Sequence, residues 1–419
     1  MNSFIYIETY GCSANKNNTE IIAGLLQQAG YEITNNEKIA NILIINTCIV
    51  KGKTESKIKR RIQDLSRFYP KKLMIIAGCM PETDLYSLKK INPHVLLLGI
   101  HHIKDISRLI SDYFSNKIDN TQEEYLSKKN EEKLFLPKIP VNKLISIVQI
   151  SEGCLGECSF CKTRLAKGKL FSYNMENILK TIESDIQAGA KEIWLTSQDC
   201  ASYGLDGDKK EKLPELLEKI LALNHKFKLR LGMMNPSFLL PIIDEMIEIY
   251  KNQKIYKFLH IPVQSASDKI LSDMNRKYKI ELAEQIIRKF KKKFPDLTIA
   301  TDIIAGYPSE TSGDHEKNLE FIKEFKPDVL NLSKFSSHKQ TPAGRLIPLD
   351  KEIINKRASE LMELHRQTSQ NNKLKYKEKE INVFINVKTK IPNIYANKKH
   401  LQIKNYYIDK CFLFEARDD

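Results

Sequence analysis

The chain has 419 residues, 42% of them hydrophobic, with 67 Lys and Arg against 52 Asp and Glu for a formal charge of +15. That length suits about three domains, the apolar share can bury a normal core, and no window reaches the roughly 18 consecutive apolar residues of a membrane span. Eight cysteines are too few for a disulfide scaffold in a chain this long, so they point to a reducing cytoplasm, while the basic balance favours a polyanionic partner.

Met1-Asn-Ser-Phe-Ile-Tyr-Ile-Glu reads as the start of a strand rather than a signal peptide. The apolar run 4–10 ends in Gly11-Cys12, helical spacing follows over 18–30, and a second strand, 41–47, ends at Cys48. A basic helix is expected over 54–68, then a third strand over 72–77 ending in Gly78-Cys79. Strand–helix alternation of this kind predicts a doubly wound parallel sheet. All carboxyl ends of such strands lie on one edge, where ligands bind. Cys12, Cys48 and Cys79 are therefore expected to converge as three metal-ligating thiolates. Ordinary burial is the common fate of one cysteine but a poor account of three at equivalent strand ends.

Residues 116–143 are polar and charged, close with Pro137 and Pro140, and read as a linker after a domain over 1–115. Directly beyond, residues 150–173 carry Cys154, Cys158 and Cys161 with Gly153 and Gly156 among them. Three thiolates so close suit one [4Fe-4S] cluster with its fourth iron open. A structural zinc site would close with four ligands, and no second pair or histidine lies nearby.

Strands are expected over 144–150, 192–197, 228–233, 257–263, 298–304 and 329–335, with amphipathic helices between them, among them 175–188, 213–223, 238–250 and 280–294. About six such units predict a partial (β/α)6 barrel over 144–350, whose site lies at the strand carboxyl ends. Polar groups recur there: Ser197, Gln198, Asn235, Gln264 and Asp302, with Gly306 permitting close approach of a ligand. Together with Phe160 they are the candidate cofactor-binding residues. His260 reads as a packed strand residue, Cys200 as a bystander and Cys411 as structural. Residues 351–380 form a charged helical connector. The final 381–419 read as short strands whose Phe384, Tyr395, Tyr406 and Tyr407 interleave with lysines, as on a small RNA-binding β module.

The Cys-x-x-x-Cys-x-aromatic-Cys pattern, with Phe160 as its aromatic, resembles the signature of radical S-adenosylmethionine enzymes. In that superfamily the open iron chelates S-adenosylmethionine, whose cleavage yields a 5′-deoxyadenosyl radical. The whole chain resembles the methylthiotransferases: Tyr10-Gly-Cys12, Asn46-Thr-Cys48 and Ala77-Gly-Cys79 look like the ligand motifs of that family's auxiliary cluster. Glu192-Ile-Trp-Leu-Thr-Ser197, Leu229-Arg-Leu-Gly-Met233 and Phe258-Leu-His-Ile-Pro-Val-Gln-Ser-Ala-Ser-Asp268 are most similar to the archaeal and eukaryotic branch. That branch methylthiolates C2 of N6-threonylcarbamoyladenosine at position 37, beside the tRNA anticodon.

The resemblance implies two [4Fe-4S] clusters, S-adenosyl-L-methionine, and a tRNA partner gripped at its anticodon loop. Cys154, Cys158 and Cys161 would hold the cluster that cleaves S-adenosylmethionine, and Cys12, Cys48 and Cys79 the cluster that carries the sulfur. It also implies an outside electron donor and sulfur source, no membrane, and a cytoplasmic monomer. The last module resembles the family's TRAM domain but is short and lacks a clear glycine-arginine motif. A bacterial-type enzyme acting on isopentenyladenosine or a ribosomal protein is the alternative within the chemistry. A single-cluster radical enzyme, or a non-catalytic iron–sulfur RNA-binding protein, is the alternative outside it.

Overall fold

The computed structural model describes residues 3–118, 123–207 and 212–374, with the backbone of 395–396 paired to that of 399–400. The first domain runs β1 (Phe4–Thr9), α1 (Ser13–Gln28), β2 (Glu32–Thr34), β3 (Ile42–Thr47), α2 (Gly52–Phe68), β4 (Leu73–Gly78), α3 (Pro81–Ile91), β5 (Leu96–Gly99) and α4 (Ile106–Phe114). Its strands form one parallel sheet in the order β2-β1-β3-β4-β5. Central β3 and β4 are buried at every position, as the Ile-rich runs of a sheet covered on both faces should be. Alternate residues face opposite helices. Ile42, Ile44 and Ile75 join the core under α1 and α4, whereas Leu43, Ile45 and Ile76 join the core under α2 and α3.

The segment 116–143 departs from a solvated linker. Tyr125, Lys133 and Leu134 are buried, and Ile139 N–H donates to the Glu20 carbonyl. Gly24 admits this segment closely, since a Cβ there would lie 2.2 Å from the Pro137 carbonyl oxygen.

The central domain continues with β6 (Ile145–Gln149), β7 (Ser151–Glu152), α5 (Lys162–Lys167), β8 (Phe171–Ser172), α6 (Met175–Gln187), β9 (Glu192–Thr196), α7 (Leu213–Ala222) and β10 (Lys228–Leu231). Then come α8 (Pro236–Leu239), α9 (Ile243–Ile249), β11 (Phe258–Gln264), α10 (Asp268–Asp273), α11 (Ile280–Lys293), β12 (Thr298–Ala305), α12 (Ser312–Phe325), β13 (Val329–Lys334) and α13 (Lys351–Leu374). The six expected strands form two parallel triplets, β6-β9-β10 and β11-β12-β13, joined by a parallel bridge between Leu229 and Ile255. This is the expected α/β architecture with a partial barrel, and its main core lies between the strands and the outer helices.

Three expectations change. The helix placed at 18–30 begins at Ser13, because Cys12 is its extended N-cap and its first turns bury Asn15, Asn17 and Asn18 rather than apolar residues. The helix over 238–250 is broken into α8, a 3-10 turn and α9, the turn carrying Pro241, whose ring cannot continue a helix. Strands β2 and β5 were not expected; β2 has three residues and β5 four, too short for a periodic signal. The stretch 351–380 is helical to Leu374 and packs on α12 and β13, with Leu361 fully buried. Apart from the short 395–396/399–400 pairing, the expected β module, including Phe384, Tyr406, Tyr407 and Cys411, lies outside the described residues.

Candidate active site

β1, β3 and β4 are neighbours, so their carboxyl ends bring Cys12, Cys48 and Cys79 to one edge. Gly11, at φ +111°, turns the chain there; a Cβ would stand 2.7 Å from Cys48 Cβ and 2.9 Å from its Sγ. Fully buried Asn15 stitches the strand ends together: its amide donates to the carbonyls of Tyr10 (2.9 Å) and Thr47 (2.7 Å). Its Oδ1 lies 3.9 Å from Cys79 Sγ. Burial, then the neighbouring Cys12, pushes the Cys48 thiol up to about 11, and Cys79 is raised too, chiefly by burial. Thiols so held must release protons to bind iron, which couples metal loading to pH.

The second trio sits on a loop clasped by β7 and β8. Gly153, at φ +77°, allows the clasp, because a Cβ there would lie 1.9 Å from the Lys169 carbonyl oxygen. Gly156 N–H donates to Cys154 Sγ at 3.2 Å. Without a Cβ, Gly156 can sit over both sulfurs: the added atom would be 3.4 Å from Cys154 Sγ and 3.8 Å from Cys158 Sγ. Arg276 Nη1 donates to Cys158 Sγ at 3.4 Å, and its Nη2 donates to the Pro262 carbonyl at 3.0 Å. Burial pushes the Cys154 thiol up to about 12, with Asp199 the next contributor. Asp199 is itself buried, and burial raises its carboxyl to about 6. Its Oδ1 accepts from Ala201 and Asn235 N–H, while its buried Oδ2 has no partner among the described residues. A buried carboxylate oxygen left open beside a thiolate trio suits a cationic ligand group.

Both trios fit an iron–sulfur cluster by donor chemistry: soft thiolates, glycines where side chains would intrude, and N–H donors aimed at sulfur. Among the described residues no group of three His, Cys, Asp or Glu is gathered tightly enough for a single metal ion. Helix α5 runs from the second trio to the N-terminal domain, where it packs on α3. Cys161 is the N-cap of α5, which spans about 9 Å at 1.5 Å per residue. Ala166, in its last turn, is buried in the core of the N-terminal domain that also includes Cys79 and Met80.

The other expected cofactor residues divide. Gln198 Oε1 accepts from Gly153 N–H at 2.8 Å and so braces the cysteine loop. Asn235 caps α8 and also accepts from Arg276 at 3.4 Å. Gln264 ends β11 at a bulge with φ +73°, a strained backbone of the kind found at ligand sites. Ser197 instead donates to Cys200 Sγ at 3.4 Å and accepts from Asp199 N–H. Asp302, on β12, is paired with His260 on the neighbouring β11. The space above Gly306 is taken by Ile354, 2.5 Å from an added Cβ. Phe160 packs in an apolar group with Ile304 and Tyr307. Cys200 is fully buried, in keeping with a bystander.

Arg276 and Asp199 were missed. Asp199 follows Gln198 just past the end of β9, where nothing in the sequence separates it from its neighbours. Arg276 follows the short α10, away from any strand end, and carried no signal.

Residues 4–99 match the model described as uncharacterized protein family UPF0004, and residues 148–322 match the radical SAM superfamily. A probable threonylcarbamoyladenosine tRNA methylthiotransferase of Pyrococcus abyssi is 38% identical over 405 residues, covering 95% of this chain and 92% of that one. The threonylcarbamoyladenosine tRNA methylthiotransferase of Xenopus laevis is 34% identical, over 86% of this chain and 64% of its own. A radical S-adenosylmethionine methyltransferase of Kitasatospora setae, solved with cobalamin and a [4Fe-4S] cluster, shares the fold: TM-score 0.58 at 13% identity, covering 82% of this chain and 77% of that one. With similarity sustained across almost the full length and through both cysteine-bearing regions, the chain belongs to the threonylcarbamoyladenosine tRNA methylthiotransferase family.

Proposed function

We propose that the chain attaches a methylthio group to C2 of N6-threonylcarbamoyladenosine at position 37 of tRNA, using two three-cysteine sites. The observation that carries this reading is α5: it is N-capped by Cys161, packs on α3, and places Ala166 in the same buried core as Cys79. A radical generated at one trio and a sulfur held at the other could then meet a single substrate. In this reading Cys154, Cys158 and Cys161 hold a [4Fe-4S] cluster that, with S-adenosylmethionine, supplies the radical, and Cys12, Cys48 and Cys79 hold one that supplies the sulfur.

The chain's own residues set the stage. The open Oδ2 of Asp199 is suited to accept from the amino group of S-adenosylmethionine, and Gln198 keeps the loop beneath it in register. Arg276 and Gly156 N–H direct donors at Cys158 and Cys154, hydrogen bonds of the kind that tune cluster potential. Gln264 and Asn235 lie on the same barrel rim. Cys12 is exposed while Cys48 and Cys79 are buried, which leaves the N-terminal trio open on one side only. The charge of +15 supports an RNA substrate, and exposed Lys51, Lys53 and Lys57, on or beside the start of α2, follow closely on Cys48. Thiols available for iron suit the cytoplasm.

The test is mass spectrometry of tRNA nucleosides from a host lacking its own methylthiotransferases, with and without this chain. Gain of one methylthio group on threonylcarbamoyladenosine is the expected result. Gain on isopentenyladenosine, or none with both clusters intact, would overturn the substrate assignment.

A further inference from the structure

We propose that the turn 273–276 at the end of α10 is a template for residues 157–159, and that Asn275 is its positioning residue, fixing Cys158 toward the cluster of the second trio. The inference rests on the reading above of Cys154, Cys158 and Cys161 as cluster ligands. It concerns a side chain whose bond goes to the loop backbone and not to a sulfur.

Four consecutive residues of the turn meet three consecutive residues of the cysteine loop. Asn275 Nδ2 donates to the Glu157 carbonyl at 2.7 Å, and Arg276 Nη1 donates to Cys158 Sγ at 3.4 Å. Ser159 N–H donates to the Met274 carbonyl at 3.0 Å, and its Oγ donates to the Asp273 carbonyl at 2.9 Å. Asp273 and Met274 close α10, where the last carbonyls of a helix lack partners within it, so the loop supplies those partners. Tyr307, 1% exposed, completes the group: its hydroxyl donates to the Asp273 carbonyl at 2.8 Å and lies 2.9 Å from Ser159 Oγ. The Ser159 carbonyl accepts from Ala343 N–H at 2.9 Å. Glu157 and Ser159 are thus both tied down, and Cys158 lies between them.

The form of the turn singles out Asn275. Arg276 N–H donates to the Leu271 carbonyl at 2.8 Å, and Asn275 N–H donates to the Ser272 carbonyl at 2.9 Å. That pair of bonds is the Schellman ending of a helix, which puts residue 275 in the left-handed region, here at φ +55°. Glycine meets that requirement without a Cβ penalty and is the usual occupant. Asparagine tolerates it and adds what glycine lacks, an amide donor. Asn275 is half-buried and its bond crosses 118 residues of sequence, so the amide serves the distant loop and not the turn itself. Partners around a metal site orient the ligands they hold. A thiolate pinned on both flanks offers its iron one position, whereas a free flank would let the Cys158 sulfur sample several.

The test uses the full chain, first freed of iron and then reconstituted with iron and sulfide. In the iron-free chain, the rate at which iodoacetamide labels each cysteine is read by peptide mass spectrometry, with Cys48 in the other domain as reference. Asn275→Gly keeps the left-handed backbone and loses the donor, and Asn275→Asp puts an acceptor in its place. Each is expected to label Cys158 about 5-fold faster, the equilibrium equivalent of one hydrogen bond, with the Cys48 rate and the denaturant midpoint near wild type. Reconstituted in a Cys12/Cys48/Cys79→Ala background, both variants are expected to keep the iron of one cluster and to broaden its reduced electron paramagnetic resonance signal. A Cys158 rate that is unchanged, or raised in step with Cys48, would overturn the proposal, because general loosening frees every cysteine alike. An unchanged resonance would overturn it too. Should the Asp variant not fold, Asn275→Gly decides by the same two readings. The underlying reading fails separately: if Cys154/Cys158/Cys161→Ala leaves iron content unchanged, those cysteines hold no cluster and the proposal falls with that reading.

Discussion

The Arg276 guanidinium donates to Cys158 Sγ at 3.4 Å across a sequence separation of 118 residues. It reaches there from the turn after α10, where Nη2 is also held by the carbonyl of Pro262. The cysteine loop is thus braced by a part of the barrel that carries no cysteine. Replacing Arg276 with Ala should leave iron content near wild type yet slow S-adenosylmethionine cleavage by about 10²-fold, the usual cost of one preorganised donor. Lys at the same place keeps the charge without the planar fork and should recover only part of the rate. Full activity in R276A, assayed with dithionite as reductant, would remove Arg276 from the site.

Gly11→Ala tests the N-terminal trio by crowding instead of by removing a ligand. The added methyl would meet Cys48 Sγ at 2.9 Å on a backbone at φ +111°, so Cys48 must move and the backbone is strained by about 1–3 kcal/mol. The expected result is loss of roughly one cluster's iron, with the Cys154 cluster signal retained in the resonance spectrum. Unchanged iron would show that the trio tolerates displacement of Cys48.

Lys162, directly after Cys161, is a buried link between the two domains. Its ammonium lies 2.5 Å from Asp84 Oδ2 and 3.2 Å from Glu55 Oε2, with its side chain only 4% exposed. Lys162→Met leaves both carboxylates facing each other with Lys59, and the His338 ring 3.8 Å from Glu55, to offset them. A destabilisation of about 3 kcal/mol is expected, read as a lower denaturant midpoint. A midpoint equal to wild type would mean that Lys59 and His338 suffice.

Glu82 carries a pH dependence whose sign can be stated. Its carboxylate accepts from Ile100 N–H at 2.9 Å, and burial pushes it up to about 7 from an ordinary 4.5. Between those values the folded chain keeps a proton that the unfolded chain has lost, so this group's contribution to stability falls as pH rises through the window and is level above it. Glu82→Gln should therefore stabilise the protein by about 2 kcal/mol at pH 8, allowing for its partial exposure, and by little at pH 5. Equal gains in chemical denaturation at both pH values would show that the effect is not ionisation.

Both cysteine trios could be read in the sequence, each for its own reason. Cys154, Cys158 and Cys161 are near neighbours on the chain, and their spacing alone brings the sulfurs together. Cys12, Cys48 and Cys79 are far apart, but each ends an apolar run, and a parallel sheet gathers those ends without any long-range information. The same periodicity located all six central strands. What the sequence could not supply was every group whose position depends on how separate segments pack. Arg276 reaches Cys158 from a turn with no periodic signal, and Asp199, buried like Ser197, differs in an oxygen, Oδ2, that its hydrogen bonds among the described residues leave open. Conversely, Gly306 and Ser197 looked suited to a ligand until Ile354 and Cys200 were found against them. The buried Lys133–Glu152–Lys167 triad, in which the carboxylate bonds both ammonium groups, is the strongest case, since in sequence these are ordinary charged residues, one of them in an apparent linker. Local pattern determines which residues end a strand or turn a loop; only tertiary packing decides which charges leave water.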